Sequence, residues 1–173
     1  GYDYEECMRR IGKSLEDLGI SHLRDRKPQD LSGGQKQAVA IAGVYAMLPE
    51  VIIFDEATSM LDPWGKKNVF SIVKDINKKF GITIILVEHE MSEIARYADR
   101  VIVMNNGKIV LTGGVAEVFS NVALLDELGL QVPQAIELGL RLKADGYLDA
   151  APLTPEELIA ALEKVPAEPV ARN

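Results

Sequence analysis

A run of four apolar residues, Val51-Ile52-Ile53-Phe54, ends at two adjacent carboxylates, Asp55 and Glu56. Three of the four are β-branched, and Pro49 stands just before them. The run reads as a parallel-sheet strand covered on both faces. In open α/β sheets, ligands gather at the carboxyl ends of such strands, which is where Asp55 and Glu56 stand. Alone, an Asp-Glu pair there would be a solvated acidic turn. With a second feature pointing at phosphate, it becomes the acidic half of a nucleotide-hydrolysing site.

Leu31-Ser32-Gly33-Gly34-Gln35 supplies that feature, ending twenty residues before Asp55. Two glycines allow close backbone approach to a phosphate, and a following helix directs free N–H groups and its positive end at it. The helix is expected from Ser32 to about Leu48, with Val39, Ala42, Ala46 and Leu48 on its buried side. Before it, Asp3 and Glu6 make a capping-box pattern. Met8, Ile11, Leu15 and Leu18 then form one apolar helical stripe, which Gly19 ends. Residues 20–30 are polar, contain Pro28 and read as a loop. Gly12-Lys13-Ser14 imitates the end of a phosphate loop, but position 7 holds Cys7 where that pattern needs glycine, and a helix stands where it needs a strand.

Beyond Glu56 the pattern predicts a helix at Trp64–Lys79, a strand at Thr83–Val87 and a short helix at Met91–Tyr97. Asn105-Asn106-Gly107 joins hairpin strands Val101–Met104 and Lys108–Leu111. After Asn121 the composition turns helical, at Val122–Gly129, Gln134–Ala144 and from Thr154-Pro155-Glu156-Glu157 to about Lys164, with fraying expected over 166–173. The organisation expected is 1–48 as a helical part carrying the glycine-led helix, 49–120 as the α/β core, and 121–173 as a helical appendage. The fold class is α/β, with parallel strands joined by helices and a hairpin at one edge.

The bulk properties narrow the rest. Of 173 residues, 47% are apolar and 26% charged, a globular balance. A net charge of −7 speaks against a broad nucleic-acid surface. The single cysteine, Cys7, excludes an intrachain disulfide. No apolar run approaches the ~20 residues of a membrane-spanning helix. The first residue is not Met, which suggests a fragment or a processed chain.

Taken together, these residues resemble the ABC ATPases. Leu31–Gln35 matches the ABC signature, Val51–Glu56 resembles a Walker B strand with its catalytic Glu, and Ser59-Met60-Leu61-Asp62 is similar to the D-loop. His89 stands where the family has its switch histidine. Its setting, Glu88-His89-Glu90, is more acidic than the Thr-His-Asp of many relatives. The resemblance implies the C-terminal portion of a P-loop NTPase domain working with ATP and Mg²⁺. Ser32, Gly33, Gly34 and Gln35 would contact ATP held by a partner subunit, while Asp55 would hold Mg²⁺ through water. Glu56 would activate the attacking water, His89 would bond the γ-phosphate, and Ser59 and Asp62 would link the two sites. His22, in a polar loop, is given no role.

In the family, the phosphate loop, the adenine-stacking aromatic and the glutamine loop all precede the stretch that this chain resembles. The chain by itself is therefore expected to bind ATP weakly, to be inactive, and to expose apolar edges that favour self-association or a partner. The tail, Leu128–Pro133, Glu137-Leu138 and Leu153–Leu158, resembles the C-terminal extension of energy-coupling-factor ATPases. That resemblance implies an importer subunit at the cytoplasmic face of the membrane. Its partners would be a second ATPase subunit in a homo- or heterodimer, a transmembrane coupling subunit and a substrate-binding membrane component, with no nucleic acid. The alternative is the C-terminal lobe of an SMC-like DNA-repair ATPase, which shares the motifs but approaches the signature from a long coiled coil, of which this sequence has no trace.

Overall fold

The computed structural model describes residues 1–165; the fraying expected over 166–173 lies outside the described residues. The chain divides into two compact units, Gly1–Val87 and Glu88–Asn173.

The first unit begins with α1 (Tyr4–Asp17), capped by the Asp3 carboxylate, which accepts the Glu6 N–H at 2.8 Å. The expected capping box is only half made. The Glu6 carboxylate turns away to accept Arg9 Nε at 2.7 Å and Arg10 Nε at 2.6 Å, because two charged donors outbid one backbone N–H. The helix stops as expected at Gly19, whose φ of +68° is left-handed. The Ile20 N–H bonds Leu15 O and the Gly19 N–H bonds Glu16 O, the paired bonds of a Schellman ending. The Gly12-Lys13-Ser14 stretch lies inside this helix: Lys13 pairs with Asp17 at 3.0 Å, and buried Ser14 donates to Ala42 O at 2.7 Å. Two short 3₁₀ turns, Ser21–Leu23 and Pro28–Asp30, occupy the stretch read as loop.

Helix α2 (Gly33–Tyr45) starts where expected and ends a turn early. Leu48 takes a left-handed φ of +55° and is exposed, so it is not part of the buried side, which is Gly34, Ala38, Ile41, Ala42 and Tyr45. The stop precedes Pro49, which disfavours helical geometry in the residue before it. Helix α3 (Pro63–Phe80) is capped by Asp62 and closed by left-handed Gly81.

Strands β1 (Val51–Asp55) and β2 (Thr83–Val87) pair in parallel, Val51 beside Thr83 and Asp55 beside Val87. The expectation of cover on both faces fails. Ile52 and Phe54 are 3% and 6% exposed, but Val51 and Ile53 are 47% and 65% exposed. One core gathers Ile52 and Phe54 with side chains of α1, α2 and α3, so only one face of the pair is packed. The opposite face presents Val51, Ile53, Ile85 and Val87 to solvent.

The second unit holds α4 (Met91–Tyr97) and a hairpin of β3 (Arg100–Asn105) and β4 (Lys108–Gly114). Asn106 and Gly107, at φ +49° and +75°, give the turn its left-handed pair. The hairpin strands pair antiparallel, Arg100 beside Gly114 and Asn105 beside Lys108. Helix α5 (Val115–Phe119) was not anticipated; its start, Gly114 followed three residues later by Glu117, was the available signal. The extension follows as α6 (Val122–Glu127), α7 (Gln134–Ala144) and α8 (Pro155–Leu162). Its core is continuous with the hairpin's: Ala95, Val101, Val103, Val115, Val118, Phe119, Leu125 and Ile136 form one cluster.

Candidate functional site

Ser32 caps α2 with a complete box. Its Oγ accepts the Gln35 N–H at 3.3 Å, and its own N–H donates to Gln35 Oε1 at 3.0 Å. Both motif side chains are thus used locally, which fixes the helix tip. Against this tip lies the start of α3. A Cβ placed on Gly34 would stand 3.0 Å from Gly65 Cα, and one on Gly33 would stand 3.2 Å from a Leu61 methyl. The tip of α2 therefore meets the start of α3 at backbone distance, and the Ser59–Asp62 loop touches it through the Leu61 side chain. Asp62 itself is the cap of α3, accepting the Gly65 N–H at 2.7 Å. Gly65, which the sequence reading did not single out, lets the two helix starts touch; nothing in its local pattern marks it.

Asp55 is the last residue of β1. Its exposed side chain forms no hydrogen bond or ion pair with the described residues. Glu56 follows in a left-handed conformation, φ +48°, unusual for a residue with a Cβ. Three bonds hold it there: its N–H donates to Val87 O at 3.0 Å, and the Ser59 N–H and Oγ–H both reach its carbonyl, at 3.2 and 3.0 Å. Ser59 thus fixes the backbone that carries the Glu56 carboxylate. The geometry brings Ser32–Gln35 against the 59–65 segment and ties Glu56 to the end of β2.

His89 lies in the second unit, exposed, between β2 and α4. It lines a cleft of about 420 Å³ with Glu90, Met91 and Ser92 on one side and residues 129–134 on the other. Further along α4, Arg96 Nη2 reaches both oxygens of Glu156 in α8, at 3.0 and 2.9 Å. The Glu156 carboxyl is held below its ordinary pKa by its own backbone N–H and by this guanidinium. His22 sits in a 3₁₀ turn, in the other unit.

Residues 4–59 match the profile of the family described as ABC transporter. The energy-coupling factor transporter ATP-binding protein EcfA2 of Clostridium perfringens is 48% identical over 149 residues, 85% of this chain and 52% of the relative. Over most of its length the chain is similar to ABC transporter ATPases. Another relative, EcfA1 of Caldanaerobacter subterraneus, is 48% identical over 160 residues, 92% of this chain and 57% of that protein. Among solved structures, cbiO1 of Clostridium perfringens, described as part of the ABC transporter complex cbiONQ, superposes with a TM-score of 0.64 at 37% identity. That match covers 78% of this chain and 53% of cbiO1. The chain spans about half the length of the curated relatives it matches. Its strand-and-helix units are those of a P-loop NTPase portion, as the sequence implied. Among the described residues, no helix is long and apolar enough to cross a membrane.

Proposed function

We propose that this chain provides the signature helix, the acidic strand end and the switch histidine of an ATP-hydrolysing subunit in an energy-coupling-factor importer. The observation that carries the reading is Glu56, pinned through its backbone at the carboxyl end of β1, beside exposed Asp55.

Glu56 accepts the proton of the water that attacks the γ-phosphorus of ATP; the bond to the ADP oxygen breaks, giving ADP and phosphate. Asp55 fits a Mg²⁺ site of the kind ATPases use, an exposed carboxylate with its oxygens uncommitted. Asp55 would hold the ion through its water shell, as the family resemblance implies. When bound, the ion neutralises phosphate charge. His89 bonds the γ-phosphate. Ser32, Gly33, Gly34 and Gln35 close over ATP held by a second ATPase subunit, and Ser59 and Asp62 tie the two sites together.

The subunit works at the cytoplasmic face of the membrane under a transmembrane coupling protein and a substrate-binding membrane protein, and the extension 121–173 helps pair the ATPases. In the assembled full-length protein, Glu56→Gln should lower ATP turnover by about 10²-fold or more while leaving ATP binding intact. Undiminished turnover would end this reading.

A further inference from the structure

Helix α4 has only seven residues, and its cap residue, Glu90, makes no side-chain capping bond. A helix this short does not hold itself in water, so its placement comes from what it packs against. Ala95 is its one fully buried side chain, and Ala95 belongs to the core cluster that includes Leu125 of α6 and Ile136 of α7. At one end of α4, His89 and Met91 face residues 129–134 across the cleft. At the other end, Arg96 is bonded to Glu156 of α8, sixty residues on. The histidine segment and the C-terminal extension thus share one apolar cluster, the walls of one cleft and one ion pair.

We infer that the extension positions His89, and that Arg96 and Glu156 are positioning residues for ATP hydrolysis. The inference rests on His89 being the switch histidine proposed above, and adds to the extension a task distinct from subunit pairing. Shifts of α7 and α8 reach His89 through α4, so anything that moves the extension adjusts the rate of the chemical step without touching ATP affinity.

Both partners of the ion pair are partly exposed, with side-chain exposures of 39% for Arg96 and 66% for Glu156, so reversing either charge leaves the core alone. In the full-length ATPase assembled with its partners, Arg96→Glu and Glu156→Arg should each lower kcat about two- to fivefold, the range an exposed pair can supply. KM for ATP and the dimer fraction by light scattering should stay unchanged, and the double reversal should restore kcat. Unchanged kcat in the single variants, no recovery in the double, or a loss that follows the dimer fraction would each overturn the inference. His89→Ala separates the two readings. If it abolishes turnover while the reversals do nothing, only the positioning role falls; if it leaves turnover intact, the switch-histidine reading falls and takes the positioning role with it.

Discussion

The tip of α2 and the start of α4 both present candidate ATP-contacting residues, and they are held in opposite ways. Ser32 and Gln35 close a reciprocal box, and two glycines let the tip settle against the backbone at Gly65. The residue before α4 has no such bond, and the helix is placed by the hairpin core and by a partner sixty residues away. The first device is local and written in five consecutive residues. The second is tertiary. The first resists change, and the second can be tuned from a distance.

The sharpest way to break this contrast is at the glycine crossing. Gly34→Ala places a methyl 3.0 Å from backbone that cannot rotate aside. Overpacking of this sort costs about 1–3 kcal/mol, against a helix-propensity gain of about 1 kcal/mol for leaving glycine. The net should be a lower thermal midpoint and a marked loss of turnover in the full-length protein. A variant with wild-type melting and wild-type kcat would show that the crossing is not tight.

Gly65→Ala meets Asp62 Oδ1 at 2.8 Å, a movable side-chain end, so it should mainly dislodge the α3 cap. The loss expected is about 1 kcal/mol, similar to that of Ser32→Ala at the other tip, and both are readable by thermal unfolding. On the other side of the comparison, Glu90→Ser supplies α4 with a cap. If α4 depends on outside support, the added cap should reduce the kcat defect of Glu156→Arg; an unaltered defect would show that α4 is already self-supporting.

The smallest effect lies in α1. The Arg9 and Arg10 guanidiniums hold the Glu6 carboxyl down to a pKa of about 2, from an ordinary 4.5. A lowered carboxyl pKa stabilises the fold above the unfolded value and loses that contribution as the pH falls. The window is therefore between pH 4.5 and about 2, and Glu6→Gln should flatten the slope of stability against pH within it.

Much of the architecture was legible because its signals are local. The capped starts at Asp3, Ser32 and Thr154, the stops at Gly19 and Gly81, and the Asn106-Gly107 turn each depend on residues within a few positions. Helices α4 and α7 and strand β2 begin and end at the residues the pattern indicated. The misreadings share a cause. Val51–Phe54 carries the composition of a doubly covered strand, yet composition does not say how many layers lie over it. The Gly34–Gly65 approach and the Arg96–Glu156 pair depend on segments distant in sequence, and no local pattern encodes them. Asp55, Glu56 and His89 are candidates by residue type, order and resemblance, whereas the bonds that fix Glu56 are three-dimensional facts.

Glu56 also carries a constraint of stereochemistry. Its left-handed backbone is least hostile to Gly, Asn and Asp, and shuts out β-branched residues whatever their polarity. A saturation library at this position selected only for soluble fold should enrich those short residues, none of which extends as far as Glu. One selected for transport should return Glu. The distance between the two lists would measure how far the peptide geometry is bent to suit the reaction.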